Sequence, residues 1–266
     1  MKEDREMQDA QCVLYAENDG IARITLHRPH ALNAIDAAVL QRLGQLLDRA
    51  EASDAVGAVI LTGSGAAFSA GADIKTLRTA TPMQVRELAR LAVRITCRIE
   101  AFGKPAVAAI NGIAFGGGLE LAEACMIRVA AADARLGHPE VRIGAVAGFG
   151  GTTRLARLVG KGRAAEMLLR GRAIDAQEAL RIGLVQGIAE PGRLMAETEA
   201  MVRDILAQSP VAVRLTWEAL HRGLNMTLEE SAQLGADYFG LVAASEDFRA
   251  GTTAFVEKTQ PVWSGR

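Results

Sequence analysis

The sequence predicts an α/β protein with a largely parallel sheet covered by helices. Two observations carry that expectation. Short, almost wholly apolar runs, AVIL at 58–61 and PAVAAI at 105–110, alternate with longer segments of helical periodicity. Strands buried on both faces read as continuous apolar runs, and parallel neighbours need helical crossovers between them. A chain of 266 residues, half of them apolar, is also long enough for one large domain or a domain with a smaller appendage.

The elements follow in chain order. Residues 1–12, MKEDREMQDAQC, are polar and charged and read as a flexible tail. Two apolar runs, 13–16 and Ile21–Leu26, flank Glu17-Asn18-Asp19-Gly20, which is a hairpin signal. Arg28-Pro29 ends the second run, because proline cannot donate to a ladder. Asp36 is placed to cap a helix whose apolar stripe is Val39, Leu40, Leu43, Leu46 and Leu47. Thr81-Pro82 opens another, with the stripe Val85, Leu88, Ala92, Ile95, Ile99 and Phe102. From Gly151 onward the pattern is mostly helical. Asp175 with Glu178 and Thr227 with Glu230 have capping-box spacing. Gly183 stops one helix, and Leu184-Val185 reads as a brief extended piece. The core is therefore expected over 13–208, with a helical C-terminal region over 209–266.

Composition narrows the function classes. Thirty basic and 31 acidic residues leave a formal net charge of −1, which gives no general attraction to nucleic acid or an anionic membrane. No apolar run reaches the roughly 18 residues of a membrane-spanning helix. The N-terminus has no apolar segment of signal-peptide type. Cys12, Cys97 and Cys125 are widely spaced, without a Cys-x-x-Cys pair or a metal-ligand cluster. These features fit free thiols in a reducing compartment, and a cytoplasmic location is expected.

Two glycine-rich turns follow predicted strands. The first runs from Gly63 to Lys75 and contains FSAGADIK; taken alone it is an ordinary strand-to-helix turn. The second, NGIAFGGGLELA at 111–122, has three successive glycines, each roughly 1 kcal/mol less favourable than alanine in a helix. That cost makes sense where something must approach the backbone closely, and N–H groups there could hold a developing oxyanion. Glu120 follows on the first turn of the predicted helix. A carboxylate there either complements the helix start or serves as an acid/base beside the donors. Glu123, one turn on, reads as a surface or interface residue. In the third segment, ARLGHPEVRIG, Glu140 could be a solvated loop residue, and His138 reads as structural.

Taken together and in order, FSAGADIK, NGIAFGGGLELA, HPE and GFGGTTRL resemble the crotonase superfamily, the enoyl-CoA hydratase/isomerase family. The similarity runs from ITLHRPHALNAI to the end of the chain. The resemblance implies a crotonase-like spiral of ββα units with a helical C-terminal trimerisation region. It implies an oxyanion hole formed by the N–H groups of Ala72 and Gly117, and catalytic carboxyls at Glu120 and Glu140. Hydratases of the family keep glutamate at both positions, whereas many isomerases keep one, so water addition to an enoyl-CoA is the expected reaction. Gly148 is expected to help position the water. Ala70, Asp73, Ile74, Phe239 and Lys258 are expected substrate contacts.

The resemblance further implies no metal and no cofactor, CoA being part of the substrate, and assembly into homotrimers or homohexamers. Isomerisation, thioester hydrolysis and hydration of an unusual acyl group are the alternatives within the family, and RNA binding on the same fold is the alternative outside it. The chain departs from the family pattern at Met126, Ala147, Phe149 and His30. Those positions bear on acyl specificity and on one CoA phosphate contact.

Overall fold

The computed structural model describes residues 11–266. The expected tail lies, for residues 1–10, outside the described residues. Cys12, assigned to that tail, is buried, and its carbonyl accepts from the His27 N–H at 2.8 Å.

β1 (Val13–Asn18) and β2 (Ile21–Leu26) pair antiparallel. They turn through Asp19 and Gly20, both at positive φ (48° and 79°), the backbone that matches strand twist in a two-residue hairpin. α1 (Ala37–Ala52) begins at Asp36, whose carboxylate accepts from the Val39 N–H, and all five predicted stripe residues are buried.

Next comes a repeated pattern. β3 (Ala58–Gly63) and β4 (Ala67–Ser69) precede α2 (Ile74–Leu77) and α3 (Pro82–Glu100). β5 (Ala106–Ile110) and β6 (Ile113–Phe115) precede α4 (Gly117–Glu123), and β7 (Ile127–Ala131) and β8 (Arg135–Gly137) follow. In each repeat the longer strand joins a six-stranded sheet ordered β1-β2-β3-β5-β7-β10, and the shorter joins a four-stranded sheet that begins β4-β6-β8. The pairings β3–β5–β7 and β4–β6–β8 are parallel. Stacking one repeat on the next produces the spiral of ββα units that the resemblance implies.

α5 (Gly151–Val159), α6 (Lys161–Arg170), β9 (Ala173–Asp175), α7 (Ala176–Arg181) and β10 (Gly187–Ala189) complete this part. The predicted extended piece at Leu184-Val185 is not a strand; both residues are buried ahead of β10. α3 has the expected Thr81 cap, closed reciprocally by Gln84, but its first turns face outward. Val85 is exposed there, and burial begins toward Ala92, Ile95 and Ile99.

The chain divides into two compact units. One reaches Phe102 and resumes over Ala106–Glu199; the other comprises Gly103–Pro105 and Ala200–Arg266. The division falls within α8 (Leu194–Leu206), whereas the sequence put it at 208/209. In the second unit α9 (Pro210–Gly223) packs on α10 (Leu228–Ala243), and the Tyr238 hydroxyl donates to Glu218 at 2.8 Å. Thr227 and Glu230 form the predicted capping box. After α11 (Glu246–Glu257), the last residues fold back on buried Asp247, which accepts from the N–H groups of Ser264 and Gly265. Leu220, Leu224, Leu228, Phe255 and Val256 are exposed apolar side chains of this unit. No helix among the described residues is long and apolar enough to cross a membrane.

Candidate active site

The first glycine turn is held from behind by Ile35. Its N–H donates to Gly71 O at 2.8 Å, and its carbonyl accepts from Asp73 N–H at 2.9 Å. Ala72, between them, bridges Ile35 in parallel. In such a bridge the middle residue's N–H points away from its partner strand. A Cβ built on Gly71, whose φ is +102°, would lie 2.8 Å from Phe115 O and 3.4 Å from Gly117 N. The two turns are therefore in direct contact, and the absent side chain is what allows it.

In the second turn, Gly116 adopts φ 49° and ψ −126°, and Gly117 is the first residue of α4. A helix leaves its first N–H groups without an intrahelical acceptor. Among the described residues the N–H groups of Ala72 and Gly117 have no hydrogen-bond partner. They converge: a Cβ on Gly117 would be 3.5 Å from Ala72 N and only 2.6 Å from the Phe149 ring. Two adjacent N–H donors without acceptors are an arrangement able to hold an oxygen that gains negative charge.

Glu120 is buried on α4. One oxygen, Oε1, accepts from the N–H of Phe149 at 2.7 Å and of Gly151 at 2.6 Å. Phe149 is itself fixed, since its carbonyl accepts from Thr96 Oγ1 and from the Arg154 guanidinium, both at 3.1 Å. Burial pushes the Glu120 carboxyl up from its ordinary 4.5 to about 7. The Gly151 N–H and His138 oppose that rise, while Glu123 and Glu140 add to it.

Glu140 opens a 3₁₀ turn over Glu140–Ile143. Its side chain is mostly covered, and its Oε1 would lie 2.9 Å from a Cβ on Gly116. Glycine at 116 therefore admits both the backbone turn and the carboxylate. His138 is buried between two acidic groups, its Nε2 2.9 Å from Glu123 Oε1 and its Nδ1 3.5 Å from Glu140 Oε1. Burial would lower the imidazole, but the charges and hydrogen bonds of Glu123 and Glu140 outweigh it and raise it to about 10. A Cβ on Gly151 would meet both His138 and Glu120 within 3.0 Å, so the ring packs beside Glu120 as well.

Glu123 corrects the sequence reading. It is buried, not superficial, because every residue of α4 is buried. A helix enclosed on all sides leaves no solvent face for a charge. The apolar neighbours Leu119, Leu121 and Ala122 were the available signal.

The remaining predicted residues are distributed more widely. Ala70 N–H donates to Leu32 O at 2.9 Å. Asp73 caps α2 through the Lys75 N–H and pairs with Arg28 at 3.1 Å. Arg28 also pairs with Asp36 at 3.2 Å and donates to Ala34 O at 2.7 Å. It thereby ties the two segments flanking the first turn, a role the sequence reading missed. Ile74 is half exposed, and Gly148 is exposed one residue before the Phe149 donor. Phe239 and Lys258 belong to the second unit. Phe239 is exposed on α10 with an edge contact to Phe248, and Lys258 is an exposed left-handed cap of α11. A cavity of about 530 Å³ is lined by Ala37 and Gln41 of α1 and by Leu77, Leu88, Leu91 and Arg94, among others; neither Glu120 nor Glu140 lines it.

Residues 16–266 match the family described as enoyl-CoA hydratase/isomerase. Among curated proteins, the chain is 39% identical to a short-chain-enoyl-CoA hydratase of Clostridium acetobutylicum, covering 92% of this chain and 95% of that protein. It is equally identical, over the same shares, to a crotonyl-CoA hydratase of Syntrophomonas wolfei. Among solved structures, an enoyl-CoA hydratase from Bacillus anthracis superposes with a TM-score of 0.92 at 36% identity, over 96% of this chain and 100% of that one.

Proposed function

The chain belongs to the enoyl-CoA hydratase/isomerase family, and on that premise we propose that it is a hydro-lyase adding water across the α,β double bond of an enoyl-CoA. The product is a 3-hydroxyacyl-CoA. The observation that carries this reading is the pairing of Glu120 and Glu140 around His138, next to the converging donors of Ala72 and Gly117. The names of the curated relatives support it.

The thioester carbonyl accepts from Ala72 and Gly117. As water adds to the β-carbon, negative charge moves onto that oxygen and the two donors hold it. Removing one such donor typically costs about 2.7–4 kcal/mol of transition-state stabilisation. Glu120 exchanges a proton with the water, which the Gly148 N–H helps to position. Glu140 exchanges a proton with the α-carbon. In hydration Glu120 ends protonated and Glu140 ionised; in dehydration the reverse holds. The dyad therefore works only while it carries one proton in total.

Ala70, Asp73 and Ile74 border the thioester, and Phe239 and Lys258 contact the CoA portion. The segment from 74 to 94 shapes the acyl wall. CoA enters as part of the substrate, and this chemistry calls for no metal or other cofactor. The exposed apolar side chains of the second unit support assembly into homotrimers or homohexamers, and the expected location is cytoplasmic. Light scattering should return a multiple of three times the 28.2 kDa chain.

The test is product analysis with crotonyl-CoA and longer enoyl-CoAs. A 3-hydroxyacyl-CoA is expected. A shifted double bond or free CoA as the main product would refute hydration.

A further inference from the structure

Glu123, His138 and Glu140 form a chain of side chains that the proposed reaction leaves partly unused. Both nitrogens of the His138 ring face carboxylate oxygens, Nε2 that of Glu123 and Nδ1 that of Glu140. A neutral imidazole has one N–H and one lone pair, so it can donate to only one of them and sets its lone pair against the other. An imidazolium satisfies both. Two further buried oxygens, Oε2 of Glu123 and Oε2 of Glu140, have no hydrogen-bond partner, which sharpens the need for a nearby positive charge.

Among the described residues, three carboxyls act on the ring. Glu120 and Glu123 face it from α4, and Glu140 faces it from the 3₁₀ turn. Arg128 on β7 interacts electrostatically with Glu123, while its guanidinium donates to Cys125 O and Leu184 O.

We propose that Glu123 and His138 are a positioning pair: Glu123 keeps His138 as an imidazolium, and this cation holds the dyad's single proton on Glu120 rather than on Glu140. A cation against Glu140 disfavours a proton there. Glu120 meets the cation less directly and lies close to two further carboxylates. Its elevated carboxyl and the elevated imidazole agree with that distribution. In the resulting cluster His138 carries the positive charge and Glu120 the dyad's proton. This state is poised to take a proton from the α-carbon of a 3-hydroxyacyl-CoA and to protonate the departing hydroxyl. A prior proton shift within the dyad prepares it for hydration.

The proposal rests on the hydration reading for its kinetic consequence but not for its charge state, so two measurements separate them. The first is nitrogen NMR of the ¹⁵N-histidine-labelled full chain, which has four histidines to assign. At about pH 8 an ordinary histidine is neutral. His138 is expected to keep both ring protons there, and to become neutral in Glu123→Gln. A neutral His138 in the unmodified protein would overturn the proposal whatever reaction the protein catalyses.

The second is the pH profile of kcat/KM. Replacing the cation in His138→Gln should move the acid limb up by about 1–3 pH units, the usual effect of an opposite charge at this range. Glu123→Gln should move it in the same direction by less. Adding Glu123→Gln to His138→Gln should produce no further rise, since Glu123 acts through the ring. An acid limb unmoved in both single variants, with only kcat or stability reduced, would make the pair purely structural and overturn the proposal. If His138→Gln does not fold, the Glu123→Gln profile and spectrum decide alone.

Discussion

The seats of the two glutamates differ in almost every physical respect. Glu120 is carried by a fully buried helix, and its Oε1 is fixed by two backbone N–H groups. Glu140 starts a short 3₁₀ turn, keeps some exposure, and faces a histidine ring instead of amides. One seat is rigid and lets the carboxyl keep a proton near neutrality. The other is more open and sits against the His138 ring. Acid/base chemistry needs that contrast, because two carboxyls in equivalent seats would compete for the same proton.

The largest effect that could break the contrast comes from neutralising either member. Glu120→Gln and Glu140→Gln should each lower kcat by about 10²–10⁴-fold, the usual worth of a placed acid/base. Because the pair acts as a unit, the double variant should lose much less than the product of the two. Full hydratase activity in either single variant would end the dyad account.

Next in size is Gly117→Ala. The new Cβ would meet the Phe149 ring at 2.6 Å and displace the donor beside Ala72. A fall in kcat of about 10²–10³-fold is expected, with an overpacking cost of about 1–3 kcal/mol on denaturant unfolding. In a Phe149→Ala background, which carries its own cavity cost, Gly117→Ala should cost little further stability yet still lower the rate, separating steric strain from loss of the donor.

A smaller effect concerns stability against pH. Glu120 has a folded value raised above its ordinary 4.5. Its contribution is therefore full below about 4.5 and is lost as pH rises through about 7. Glu120→Gln keeps an acceptor for both amides and avoids that loss. It should be more stable than the parent above pH 7, by at most about 3 kcal/mol, and nearly equal below 4.5. His138 follows the same sign in a higher window, full below about 6.5 and lost through about 10. Equal stability of parent and Glu120→Gln across this range would mean that burial does not strain Glu120.

Much of the scaffold under these seats was legible in the sequence. AVIL and PAVAAI read as buried strands because unbroken apolar runs have few other uses, and they became β3 and β5. The caps at Asp36, Thr81 and Thr227 were legible because side-chain capping is local. What stayed hidden was the four-stranded sheet. Its strands β4, β6 and β8 have three residues each, too few to show a period, and they lie within or beside the glycine-rich segments. The site divides the same way. The glycine turns, Glu120 and Glu140 stood out by motif. Glu123 did not, because its partner His138 is fifteen residues away in sequence and a glutamate one turn along a helix looks solvated. Arg28, which draws Asp36 and Asp73 together, was hidden for the same reason.

The claim that Glu140 serves the α-carbon and Glu120 serves water is tested most directly by deuterium exchange into butyryl-CoA in D₂O. That saturated thioester has an acidic α-carbon but no hydroxyl to lose, so only one half of the dyad is called on. The account predicts that Glu120→Gln still exchanges the α-proton while failing to hydrate crotonyl-CoA, and that Glu140→Gln loses both. Exchange that survives in Glu140→Gln and disappears in Glu120→Gln would contradict it.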